Sequence, residues 1–541
     1  MTDKKDPMVP DGKVNPINTD YQVGQDNIVL NLGPFGLDIH NRVFAISAFS
    51  VIAFVTLTLL FQNQAEPMFS GARTWLTTNL DWFFISTANI FVLICVVLVL
   101  SPLGRVRLGG TEATPDYTYL GWFSMLFAAG MGIGLMFYGV SEPLTHFASS
   151  FAGTVNENGV RTDWAPLGGA AGDAESAERL AMAATIYHWA LHPWAIYAVM
   201  ALGLALFSFN KGLPLTIRSV FYPILGERVW GWPGHIIDTL AVLATLFGLA
   251  TSLGLGASQA ASGMHYLFGI PLGETTQILL VIGITALALI SVVKGLDAGV
   301  KKLSEINMIL AGLLLLFVVI VGPTLAIATG FVENLLAYFR YLPELANPVG
   351  REDSNFASGW TAFYWAWWIS WSPFVGMFIA RVSRGRTVRE FIISVLLIPS
   401  FACVFWMTVF GGTAIKQVVL DGYQKVVEAD VPLQLFNMLD ALPLSSITSF
   451  IAIVLVIVFF VTSSDSGSLV IDVIAAGGKV NAPTPQRVFW CLFEGLVAVA
   501  LILGGGLVAL QAMAVSTGLP FALVLLVAAF STVKGLMSEP R

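Results

Sequence analysis

The chain has 541 residues, of which 56% are hydrophobic and only 11% are charged. Ordinary globular proteins carry about 25% charged residues, so a soluble chain of this length is excluded. A formal net charge of −7 with no basic face also excludes a nucleic-acid binder.

Residues 1–42 are polar, lack a signal-peptide pattern and read as a cytoplasmic tail. Beyond them the chain is a series of apolar runs. A helix crossing a bilayer core needs about 20 apolar residues. Twelve runs meet that length: 43–62, 81–101, 119–146, 180–207, 236–257, 275–293, 306–329, 359–380, 390–411, 447–472, 488–507 and 511–533. The segment 331–347 is amphipathic and reads as a surface helix. Residues 534–541 are a short tail after the last span. With the N-terminus inside, sixteen Lys and Arg fall on inner loops and the last tail, against seven on outer loops. That asymmetry predicts both termini in the cytoplasm of an inner membrane. Cys95, Cys403 and Cys491 lie in apolar runs and read as small hydrophobes.

The third span contains Gly130-Met131-Gly132-Ile133-Gly134. Close helix packing accounts for a glycine face at i, i+4 but not for Gly132 between. Local unwinding accounts for all three, and it frees mid-membrane carbonyls that a bound cation satisfies. Glu142-Pro143 follows, and an acid there faces protein or water rather than lipid. In the fourth span, Trp189, Trp194 and Tyr197 flank Pro193, which loosens the helix. His188 and His192 sit at i, i+4 without an evident third metal ligand, so packing is the expected role. The eighth span holds four of the 15 tryptophans within seven residues: Trp365, Trp367, Trp368 and Trp371. At about 100° per residue, Trp365, Trp368 and Trp371 form one stripe with Trp367 beside it. An aromatic belt belongs at helix ends, whereas this cluster is central. Aromatic faces attract onium groups that lack an N–H to donate. The tenth span reads Thr462-Ser463-Ser464-Asp465-Ser466-Gly467-Ser468. These hydroxyls either back-bond to the helix or, as hard oxygen ligands, hold sodium; Asp465 needs a partner in either case. No phosphate-binding G-x-x-x-x-G-K-[ST] occurs, and Asp465-Ser466-Gly467 lacks the frame of a hydrolase. An enzyme is not expected.

The two segments Gly130 to Gly134 and Phe363 to Phe374 resemble the signature of the betaine/carnitine/choline transporter family. The resemblance runs over about residues 40–535. It implies an all-α membrane protein of twelve transmembrane helices, often a homotrimer. Spans three to twelve would form two inverted five-helix repeats of the leucine-transporter kind. The expected organisation is two peripheral helices (43–101), a first repeat (119–329), the surface helix, and a second repeat (359–533). The resemblance assigns substrate contacts to Trp189, Trp194, Tyr197, Trp365, Trp367, Trp368, Trp371, Met131 and Ser252. It assigns one sodium site to Ala128, Met131, Phe459, Thr462 and Ser463, and a second to Thr245 and Phe374. Leu249 stands where the second site expects a threonine and cannot ligate an ion. The long basic C-terminal tail of osmosensing members is absent. Gly134 matches betaine carriers; choline-type members carry an acid there. Glu494, in span eleven, has no assigned task.

The implied function is sodium symport of a betaine-type compatible solute such as glycine betaine, dimethylsulfoniopropionate, ectoine or carnitine, serving osmoprotection. Sodium-independent or proton-coupled carriage of choline or carnitine is the alternative, and a non-transporting membrane sensor a distant one.

Overall fold

In lipid, every backbone amide must find its partner within its own segment, so apolar runs fold as helices. The computed structural model describes residues 9–33, 35–130, 132–294 and 297–541. The polar tail forms a hairpin, β1 (Asn27–Leu32) against β2 (Phe35–His40), antiparallel with Asn27 opposite His40. Helices α1 (Val43–Leu60) and α2 (Gln62–Leu100) follow almost without interruption. The third span is α3 (Tyr119–Gly130) and α4 (Ile133–Ala152), set at 63° to each other. The fourth is α5 (Ala174–Trp189) and α6 (Leu191–Ala205). After the short α7 (Tyr222–Leu225) come α8 (Trp232–Phe268), α9 (Glu274–Lys294) and α10 (Asp297–Val321). The amphipathic α11 (Thr324–Leu345) and the short α12 (Ser354–Phe356) lead to α13 (Ala362–Val382) and α14 (Val388–Asp421). Short α15 (Lys425–Glu428) and α16 (Gln434–Asp440) precede α17 (Ser445–Ala475), α18 (Thr484–Leu503) and α19 (Gly506–Met537).

Ten of these helices or continuous pairs are long and apolar enough to cross a membrane. The bent α3–α4 pair and the tryptophan-rich α13 complete the twelve spans. Several boundaries differ from the sequence reading, three of them for a clear local reason. The second span begins at Gln62 rather than 81, because nothing between Gln62 and Leu80 stops a helix; even Pro67 lies in its first turns. The surface helix begins at Thr324 rather than 331, since Gly322-Pro323 ends the seventh span. The fourth span begins at Ala174, capped by Asp173.

Five spans reverse the chain's direction, so the second set of five enters the membrane from the opposite side. The packing follows the exchange this implies. Span three packs on nine as four packs on eight, and five pairs with ten as six pairs with eleven. The two chain ends meet on one face. Lys211, only 2% exposed, pairs with Glu539 at 2.5 Å and donates to the Asn15 carbonyl at 2.9 Å.

Small residues let the site helices approach closely. Gly518 on α19 lies against α13, and a Cβ there would meet the Ala366 carbonyl oxygen at 2.6 Å. Backbone cannot swing aside as a side chain can. Gly518→Ala is therefore expected to destabilise the fold by about 1–3 kcal/mol, read as a lower melting temperature in detergent; an unchanged melt would contradict this packing.

Candidate functional site

The break between α3 and α4 sets the site. Gly132 adopts an extended backbone (φ −167°, ψ −170°) where a helix would otherwise continue. The fourth span breaks too: Ala190, between α5 and α6, has φ −102° and ψ −117°. Pro193, in the first turn of α6, has no N–H to link the two pieces. Between these breaks and α13, α8 and α17 lies a cavity of about 290 Å³.

One wall is aromatic. Trp367 and Trp368 stack with centroids 4.8 Å apart and planes 15° apart. Trp189 meets Trp368 edge-on at 5.0 Å, and Tyr197 meets it at 6.2 Å. Trp194 and Tyr197 form a further edge contact at 5.4 Å, and Trp371 leans on Phe374 at 5.5 Å. All six rings line the cavity, as do Phe374 and Ser252. Aromatic faces carry the negative side of the ring quadrupole, which attracts a methylated cation. Gly134 belongs to this wall. A Cβ at that position would sit 2.7 Å from the Trp189 ring, so any larger residue displaces the indole.

Trp365, expected among the substrate contacts, stands apart from these six rings. It does not line the cavity. The cavity face of α13 runs through Trp367, Trp371 and Trp368, an arc of about 100°. Trp365 lies about 60° beyond that arc, where it stacks on His192 at 5.3 Å and meets Tyr187 edge-on at 4.9 Å. His192 bonds Asn89 at 3.0 Å, while His188 faces Glu142, so the two histidines share no ligand position.

The other wall is polar. Ala128, Phe459, Thr462 and Ser463 line the cavity beside the break. The Thr462 hydroxyl donates to the Phe459 carbonyl at 3.0 Å and to that of Val458 at 3.1 Å. Carbonyl and hydroxyl oxygens are the donor set of a hard cation. Met131, expected in both sites, lies outside the described residues. The second cluster is not assembled on the cavity. Phe374 lines it, but Thr245 does not, and the Thr245 hydroxyl turns back to Ala241 O at 2.7 Å. Leu249 is buried against Gly467, where a Cβ would meet its Cδ1 at 2.3 Å.

The remaining acids have partners. Asp465 accepts from Arg487 at 2.9 Å, and Glu494 accepts from Ser464 at 3.0 Å. Glu142 accepts from Trp189 Nε1 at 2.7 Å and from the Tyr364 hydroxyl. Sequence reasoning left Glu142 without a partner; the i, i+4 spacing of Glu142 and His146 was the available signal.

The lining continues through Ser304, Phe378 and Ser466. Ser466 is exposed although it lies well inside α17. Buried Tyr138, Glu142 and Tyr364 lie behind the aromatic wall, against Trp189, Trp367 and Trp368.

A glycine betaine/proline/choline transporter of Vibrio parahaemolyticus is 71% identical over 532 residues, 98% of this chain and 96% of the relative. Glycine betaine transporter 1 of the same organism is 53% identical, over 96% of this chain and 98% of its own length. A glycine betaine/proline/choline/ectoine transporter, also from Vibrio parahaemolyticus, is 51% identical over 96% of this chain and 91% of its own. The model of the betaine/carnitine/choline family transporters matches residues 42–541, and the chain belongs to that family of membrane transporters.

Proposed function

We propose that the protein imports a betaine-type solute by sodium symport, with glycine betaine as the reference substrate. The observation that carries this reading is the single cavity with an aromatic wall on one side and helix-break oxygens on the other. The onium head would sit among Trp189, Trp194, Tyr197, Trp367, Trp368 and Trp371, with Ser252 and Met131 nearby. Sodium would bind Ala128, Met131 and Phe459 through carbonyls, and Thr462 and Ser463 through hydroxyls. An ion there ties α3 to α17 and so completes the wall beside the solute. Coupling then follows from linkage: each ligand raises affinity for the other by the same factor. Thr245 and Phe374 are the candidates for a second ion, but Leu249 removes a ligand, so the reading rests on the first site.

The relatives named above extend the solute class to proline, choline and ectoine. The Lys and Arg asymmetry supports an inner-membrane protein with its termini in the cytoplasm. Two inverted repeats, residues 119–329 and 359–533, would rock about the site to alternate access. A homotrimer and an osmoprotective role accompany this reading.

The test is uptake of labelled glycine betaine into proteoliposomes. An inward sodium gradient is expected to raise initial uptake about tenfold or more over sodium-free buffer. Uptake indifferent to sodium would instead favour exchange or proton coupling.

A further inference from the structure

Glu142 lies behind the aromatic wall, bonded to the cavity-lining Trp189. It is fully buried, and among the described residues no Lys or Arg reaches it. Its hydrogen bonds come from three helices. On Oε2 it accepts from Trp189 Nε1 at 2.7 Å and from the Tyr364 hydroxyl. Oε1 faces His188 Nδ1 at 2.6 Å and His146 Nε2 at 3.3 Å. His188 is steadied in turn by Thr361 Oγ1 on its Nε2, at 2.9 Å. A buried carboxyl is tolerated when its lone pairs are filled, and those of Glu142 are.

The consequence falls on Trp189. It is the last residue of α5, next to the break at Ala190, so no continuing helix fixes its position. An indole has one polar atom, and the acceptor that atom finds selects the ring's orientation. For Trp189 the acceptor is Glu142. Trp368, edge-on to Trp189, donates its own Nε1 to the His188 carbonyl at 2.9 Å. Both rings are thus tied to one polar knot.

We propose that Glu142 is a positioning residue: its carboxyl holds Trp189, and through His188 supports Trp368, so that the aromatic wall stands at the width an onium head requires. The inference rests on the transport reading, since it presumes that the cavity takes the solute.

An acceptor role and a charge role make different demands. Glutamine keeps an oxygen for Trp189 and Tyr364, and its amide faces imidazoles that accept after a tautomer change. Alanine removes every contact.

The experiment measures KM and Vmax for glycine betaine in proteoliposomes, with a melting curve for each variant. Glu142→Ala is expected to raise KM about tenfold or more while Vmax falls less than about threefold. Glu142→Gln is expected to raise KM less than about threefold. Trp189→Phe keeps a ring but deletes the donor, and should raise KM about threefold to tenfold. The double variant with Glu142→Ala should then be no worse than Glu142→Ala alone. The proposal is overturned if Glu142→Ala leaves KM within about twofold of the parent, or if Glu142→Gln is as damaging as Glu142→Ala. The latter result would assign a role to the charge itself. If Glu142→Ala gives no melting transition, Trp189→Phe decides: an unchanged KM overturns the proposal. The transport reading fails on separate grounds, through a Trp368→Ala variant with the parent KM.

Discussion

Trp368→Ala is expected to lower the affinity for glycine betaine about a hundredfold. A cation held over a desolvated aromatic face gains up to about 2 kcal/mol, which alone corresponds to roughly thirtyfold. Trp368 does more than offer one face. It stacks on Trp367 at 4.8 Å and braces Trp189 at 5.0 Å, so its loss lets both neighbours tilt into the space left behind. Their misplacement supplies the remaining factor. Trp368→Phe keeps a smaller face and should lose only about threefold to tenfold. The measurement is tryptophan fluorescence quenching by glycine betaine in detergent, which reads binding without requiring transport. Trp365→Phe is the internal control. Its ring packs on His192 outside the cavity, and the expected binding constant stays within about twofold.

Thr462→Ala is expected to raise the half-saturating sodium concentration about tenfold or more while leaving protein folding intact. The hydroxyl is one of few hard oxygens on the polar wall, and its bonds to Phe459 O and Val458 O aim a lone pair at the break. Removing it deletes a ligand and frees a helix carbonyl that an adjacent turn already satisfies, so stability changes little. Thr462→Ser restores the oxygen and should recover most of the sodium affinity. By linkage, betaine affinity at fixed low sodium must fall in Thr462→Ala and return at high sodium. A variant with parental sodium dependence would remove Thr462 from the ion site. Thr245→Ala separates the two clusters: with its hydroxyl turned to Ala241 O, its loss should shift sodium dependence less than about threefold.

How far the sequence foretold this arrangement depends on what each signal encodes. The spans were legible because lipid imposes length and polarity on every helix. The break in the third span was legible because three glycines at spacing two are poor helix formers, and the observed 63° bend falls among them. Which tryptophans share a face was only partly legible. A stripe drawn through Trp365 fits helical spacing, but α6 packs over Trp365, whose ring stacks on His192, and leaves the cavity to Trp367 and Trp371; tertiary packing is not written in one helix's periodicity. Thr245 shows the same limit: its position in the chain fits a ligand, while its rotamer obeys the nearest carbonyl. The knot around Glu142 joins residues distant in sequence and could not be read from spacing alone. Nor could the β1–β2 hairpin, whose polar residues bond the loop between α17 and α18 through Asn27, which donates to the Ala476 carbonyl at 2.9 Å. Leu249 was legible as a departure, and its contact with Gly467 now explains how the fold absorbs it.

In the proposed mechanism one cavity holds an onium head against the rings while oxygens at the helix break hold sodium. A density map of the protein with glycine betaine and sodium tests it most directly. The trimethylammonium group is expected within about 6 Å of the Trp189 and Trp368 ring centres, with an ion beside Thr462 and Ser463. Solute density outside this cavity, with the rings of α13 packed against one another and nothing between them and α6, would contradict it.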